Sequence, residues 1–237
     1  IMLLATVFCC LLQLQLCAQK IIGTGPVRIV VSNMEHSLNF YTHTLPFKIK
    51  TDKEVLGESY EKLENLFGLH MRIVSLTLGE EEIELVDYLT PGGRSIPEDF
   101  KSNDLSFQHI AIVVSDMDSA YRELKKHAIT YVSTEPQTLP QSIPEAAGVK
   151  AFYFQDPDKH VLELIYFPKD KGQSKWHISH PPLFMGIDHT AFGVSNTDQS
   201  LAFYRDLLGI ERKGDSHNKG IEQAHLNNVE DASLHIT

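Results

Sequence analysis

Laid over itself so that Val31 falls on Val194, the chain repeats: VSNMEHSLNFYTHTLPF (31–47) meets VSNTDQSLAFYRDLLGI (194–210) without a gap. The register continues with Gly57 on Gly220, Leu63 on Leu226 and Ile73 on Ile236. A weaker copy, HIAIVVSDMDSAYREL (109–124), lies between them. Self-similarity of this kind means that one supersecondary unit is used several times, so the fold must be assembled from copies of it. The copies start near residues 26, 107 and 187.

Each copy opens with an apolar strand, reaches Ser-Asn or Ser-Asp, and enters an amphipathic helix. The side chains of Ser32 or Asn33, Ser115 or Asp116, and Ser195 or Asn196 can accept hydrogen bonds from the free amides of a first helical turn. Leu38, Tyr41 and Leu45 recur at helical spacing, as do Leu201, Tyr204 and Leu208, which makes these aromatics core residues. Strand-like runs come next, MRIVSLTLG and EIELVDYL in the first unit, KAFYFQDP and HVLELIYF in the second. The predicted unit is β-α-β-β-β and the predicted class α+β. Units at 20–90 and 105–168, joined by the polar segment 89–106, form a first domain. A Pro-containing linker occupies 169–183, and 184–237 starts a second domain that the sequence leaves incomplete.

The first residues stand apart. IMLLATVFCCLLQLQLCAQK holds an apolar run and then small residues at Cys17-Ala18, which reads residues 1–19 as a secretory signal peptide and the protein as exported, periplasmic or extracellular in a bacterium. Gln13 and Gln15 interrupt the run, and a bilayer span needs roughly 20 apolar residues, so no membrane span is expected. All three cysteines, Cys9, Cys10 and Cys17, lie in this segment. The rest of the chain has no thiol for a disulfide, a nucleophile or a cysteine zinc site, and any metal falls to histidine and carboxylate. A formal charge of −10 without a basic cluster argues against a nucleic-acid partner.

Paired β-α-β-β-β units, one opened by QHIAIVVSDMDSAYREL and closed by FQDPDKHVLELIYF, resemble the vicinal oxygen chelate superfamily, the glyoxalase, extradiol dioxygenase and bleomycin-resistance group. The resemblance implies cupped mixed sheets made from pairs of units, with metal ligands on the first and last strand of each. Strand alternation puts His109 on a face with Phe107, Ala111 and Val113, Glu163 with Val161, Ile165 and Phe167, and Glu84 with Glu82 and Val86. Carried over residue by residue, His109, Glu163 and Glu84 take three of four ligand positions in the first domain. Pro26 takes the fourth and cannot ligate through its side chain.

Glu163 is the most informative of these, because a buried carboxylate without a partner costs several kcal/mol or protonates. A divalent metal, Fe, Mn or Zn, would neutralise it and suits one imidazole with two carboxylates. The resemblance then implies a metal-dependent lyase or isomerase acting on a small substrate with vicinal oxygens, with Glu163 doubling as catalytic base. Two alternatives stay open. Arg28, on the same face of the first strand as Pro26, could pair with Glu84 or Glu163 in a metal-free, small-ligand-binding cup. His189, equivalent to Pro26 in the third unit, could be the first ligand of an extradiol-type dioxygenase in the second domain.

Overall fold

Asn33, Asp116 and Asn196 each accept a hydrogen bond from a backbone N–H three residues on, those of His36, Ser119 and Gln199, and each starts a helix where the repeat predicts one. The computed structural model describes residue 21 and residues 23–237. The signal-peptide reading of residues 1–19 lies outside the described residues. Among them, no helix is long and apolar enough to cross a membrane.

The first unit runs β1 (Val27–Val31), α1 (Met34–Asn39) continued by a turn of π-helix (Phe40–Thr44), β2 (Lys48–Leu56), α2 (Glu58–Glu64), β3 (His70–Leu78) and β4 (Glu81–Thr90). The second runs β5 (Gln108–Val114), α3 (Met117–Leu124), the two-residue strands β6 (Thr130–Tyr131) and β7 (Gln137–Thr138), then β8 (Lys150–Gln155) and β9 (Val161–Tyr166). The third begins with β10 (Phe184–Phe192), α4 (Thr197–Leu201) and a π turn (Ala202–Leu207). It continues through β11 (Ser216–Lys219), α5 (Ile221–Asn227) and β12 (Ser233–Ile236).

One departure from the predicted pattern is the short helix between the second and third strands of units one and three. The same backbone builds it twice. Gly57 and Gly220 cap its start with φ of 106° and 107°, and Asn65 and Asn228 end it in the left-handed region with φ of 53° and 51°. Positive φ is what glycine allows and asparagine tolerates, so the repeated Gly57 and Gly220 record a backbone requirement.

The strands form a sheet of order β1-β4-β3-β2 and a larger one of order β10-β5-β9-β8-β6, with β7 also on β8, while β11 and β12 pair separately. Opening and closing strands of a unit are parallel neighbours, β1 with β4 and β5 with β9. The opening strand of unit three lies antiparallel on the opening strand of unit two, which ties these two units through backbone hydrogen bonds. The expected α+β fold of repeated units with cupped mixed sheets is present.

Period-two alternation sorts the residues. Ile29, Val31 and Leu85 of the first sheet share one hydrophobic cluster with Ile110, Ile112 and Leu164 of the second, together with Met34 and Leu38 of α1 and Met117 and Leu124 of α3. The other face of the second sheet carries Ala111, Val113 and Ile165, covered by Trp176 from the linker and Met185 from β10. Units one and two also meet through a polar joint. The buried Tyr41 hydroxyl donates to Asp156 Oδ2 at 3.0 Å, and Asp156 accepts as well from the backbone N–H of Asp158 and of His160. Next to it, Asp158 accepts from the Ser32 backbone N–H at 3.1 Å and from the Ser32 hydroxyl. The DPDKH turn is therefore the seam between two units, and His160 is a member of that seam.

Stability should respond to both halves of this joint. Tyr41→Phe removes a hydrogen bond to a buried carboxylate and should lower unfolding free energy by roughly 1.5–3 kcal/mol in urea titration; a change below about 0.5 kcal/mol would contradict the role given to the seam. Burial alone would depress the His160 pKa, but the hydrogen bond and charge of Asp156, with Asp158 beyond, raise it overall. A raised folded pKa gives stability that is complete below the unfolded value of about 6.5 and is lost as pH climbs through the folded one. Wild type should thus exceed His160→Gln most near pH ~5.5, and the gap should shrink by pH ~8.5. A gap independent of pH would remove His160 from the ion pair.

Candidate metal centre

The site starts from a small residue. Ala111, fully buried in the middle of β5, has Glu163 of β9 beside it on one side and His189 of β10 beside it on the other. His109 stands two residues earlier on β5, on the same face. Three adjacent strands thus raise three donors over one methyl group. His109 Nε2 lies 3.1 Å from Glu163 Oε2, His189 Nε2 lies 3.6 Å from the same oxygen, and the two Nε2 atoms are 3.4 Å apart. Glu163 is only 4 % exposed and His109 7 %, so neither charge nor ring is met by bulk water.

These separations allow a test of fit. Four ligands at about 2.0–2.1 Å around a tetrahedral ion stand roughly 3.3 Å from one another. The three measured spacings bracket that edge, and the donors are two imidazole nitrogens and one carboxylate oxygen. The residues present fit a divalent cation.

The outer contacts orient His189. Asp188 Oδ2 takes its Nδ1 at 2.9 Å, while Asp188 Oδ1 accepts from Trp176 Nε1 at 2.6 Å and from Gln173 Nε2 at 3.2 Å. Burial would raise the Asp188 pKa, yet the hydrogen bonds from His189, Trp176 and Gln173 hold it below the usual carboxylate range. For His189 burial pulls the pKa down, and the Asp188 bond with the charges of Glu163 and Asp188 outweighs it and raises it. A carboxylate on Nδ1 fixes the tautomer that presents Nε2 inward, as outer partners of ligand histidines do. His109 has no such partner: its Nδ1 is buried and makes no hydrogen bond within the described residues.

Tyr153 completes one wall. It sits directly opposite Glu163 on β8, with its ring centroid 5.1 Å from that of His109. Burial, followed by the charge of Glu163, pushes its phenol well above the ordinary value, so it stays protonated and able to donate.

The four metal-ligand candidates therefore separate. His109, Glu163 and His189 come together, across units two and three. Glu84 does not join them, which corrects the grouping expected from the sequence. It lies on the first sheet, where Arg28 Nε donates to Glu84 Oε2 at 2.8 Å and Arg28 Nη1 to Glu64 Oε1 at 3.0 Å. The reason is one side chain. Arg28 pairs in register with Glu84, and at the matching place in unit two Ala111 pairs with Glu163. An arginine supplies the cation internally; an alanine leaves the carboxylate without one. Near Arg28, a shallow cleft of about 240 Å³ is lined by Val30, Leu66, Tyr88, Pro91, Gly92, Gly93 and Arg94. Sequence reasoning missed Asp188 and Tyr153. The adjacency of Asp188 to His189 was the available signal for the first; strand alternation alone gave none for the second.

A model of the glyoxalase/bleomycin resistance protein/dioxygenase superfamily matches residues 23–164 and 186–237. Among solved structures, a glyoxalase family protein from Bacillus cereus is similar at 19% identity and a TM-score of 0.53, over 63% of this chain and 97% of that one. A glyoxalase I variant from Zea mays aligns at 15% identity with a TM-score of 0.49, over 88% of this chain and 65% of that one. The fosfomycin resistance protein FosX from Listeria monocytogenes, complexed with Mn(II) and sulfate, aligns at 15% identity with a TM-score of 0.39, over 63% of this chain and 96% of that one. No curated protein matches the chain. With most of its length matched by one family model, and with the repeated units and cupped sheets described above, the chain belongs to the glyoxalase/bleomycin resistance protein/dioxygenase superfamily.

Proposed function

We propose that the protein is a divalent-metal-dependent enzyme of the lyase or isomerase type, acting on a small substrate with vicinal oxygens, with His109, Glu163 and His189 as the metal ligands. The observation that carries this reading is the convergence of two Nε2 atoms and one carboxylate oxygen from three neighbouring strands at 3.1 to 3.6 Å. That donor set suits Fe²⁺, Mn²⁺ or Zn²⁺ and leaves coordination positions for substrate oxygens. When bound, the ion supplies Lewis acidity toward a pair of oxygens. The chain's own residues do the rest. Glu163, whose second oxygen is outside the three close spacings, would be the base that accepts a proton from the carbon next to the substrate's paired oxygens. His109 and His189 hold position, the latter through Asp188. Tyr153, protonated and opposite Glu163, is available as a hydrogen-bond donor. Residues 1–19 add the inference of export, checked by whether the mature protein is found outside the cytosol or retained within it.

A second reading has one observation in its favour. Two histidines and one glutamate are the donor set of non-haem iron oxygenases. Oxygen uptake by the Fe²⁺-loaded protein with catechols would select this reading, and proton exchange in a hydroxycarbonyl substrate without oxygen uptake would select the first.

Elemental mass spectrometry tests the ligand set. His109→Ala, Glu163→Gln and His189→Ala should each lose one equivalent of bound divalent metal per chain, whereas Glu84→Gln should keep it. Retention in all three, or loss in Glu84→Gln with the fold intact by circular dichroism, would sink the assignment. Asp188→Asn should keep the fold and weaken metal binding by about 10–100-fold, because it removes the charge that orients His189. Unchanged affinity would make the Asp188 contact structural only.

A further inference from the structure

The repeat also places a second group of donors. His217 of β11 lies directly across from His235 of β12, their rings nearly parallel at 6° with centroids 4.3 Å apart. Asp215, two residues before His217 and on the same face, brings Oδ2 to 3.1 Å from His235 Nε2 and Oδ1 to 3.8 Å from His217 Nε2. One donor atom from each of the three residues lies within 4.8 Å of the others. All three are exposed, and they are far in sequence from Glu163.

Unit one shows what the scaffold does at this place by default. The matching positions hold Asp52, Glu54 and Arg72, with Glu54 across from Arg72 as His217 is from His235. There Arg72 closes the carboxylate: Nε and Nη2 donate to Asp52 at 2.9 and 2.7 Å, and Nη1 reaches Glu35 at 2.6 Å. Unit three keeps the carboxylate, exchanges this arginine for an imidazole and sets a second imidazole opposite. The cross-strand arginine has been replaced by two nitrogen donors. Arg212 meets Asp215 at Oδ2, while Oδ1 faces His217.

We propose that His217, His235 and Asp215 form a second, surface metal site for a borderline divalent transition-metal ion such as Zn²⁺. Two imidazoles and one carboxylate on a cross-strand pair are the ligand types such ions take. This site is independent of the role given to His109, Glu163 and His189. Its exposure sets it apart from the buried group, and an ion held there would be open to water and would be expected to bind more weakly.

The test is Zn²⁺ titration of the whole chain by calorimetry, beside the His217→Ala/His235→Ala and Glu163→Gln variants. Wild type should bind two equivalents in two classes. The double histidine variant should lose the weaker class and keep the tighter one, which also serves as its control for folding. Glu163→Gln should do the reverse. One class only in wild type, or a second class that survives the double substitution and so traces to other histidines, would overturn the proposal. Loss of the weaker class with no effect of Glu163→Gln would support this site while removing the buried one.

Discussion

A carboxylate buried in a sheet must be paired, hydrogen-bonded or protonated. Glu163 is 4 % exposed on a strand whose neighbours are apolar, and an isolated charge there is several kcal/mol too costly to keep. The first unit, where Glu84 is only partly buried, pairs its carboxylate with Arg28, in register with it and bonded to it. The second has Ala111 at that point. The methyl group neutralises nothing but leaves room above itself, and His109 and His189 fill the rim of that room. The difference between a salt-bridged carboxylate and one grouped with two imidazoles comes down to which side chain faces the glutamate.

Supplying His189 is a matter of strand pairing. β5 takes β10 as its antiparallel neighbour, so the third unit's opening strand brings an imidazole to the second unit's cup. The linker enforces the arrangement. Trp176 is buried against Ala111, Val113 and Met185, and its indole N–H holds Asp188, which holds His189. Packing of an apolar ring and orientation of an imidazole are thereby one event, so a disturbance in the linker is felt at His189. The cup wall facing β10 is likewise fastened at a distance, with Leu226 of α5 packed against Tyr153 and Phe107.

Much of this is readable from the residues. The offset between Val31 and Val194 identifies the units, the Asx residues identify the helix starts, and alternation puts His109 and Glu163 on the inward face. Alternation assigns a face and says nothing about which unit lies alongside, and so from sequence Glu84 takes the place that His189 holds in the structure. The information against Glu84 is present in Arg28, since an arginine beside a glutamate in register is a closed pair. Gly57 and Gly220 register in the sequence only as a match; their positive φ, which starts the extra helices of units one and three, belongs to the backbone. The seam at Asp156 joins residues more than a hundred positions apart through a tyrosine that reads simply as core.

The proposed function requires one divalent cation between His109, Glu163 and His189, on strands drawn from two repeat units. Anomalous diffraction at the metal's absorption edge, on crystals grown with Mn²⁺ or Zn²⁺, locates that cation or fails to. A peak within coordination distance of both Nε2 atoms and a Glu163 oxygen is the expected result. A cup with no peak there, or a peak at Glu84 with Arg28 displaced, would refute the assignment.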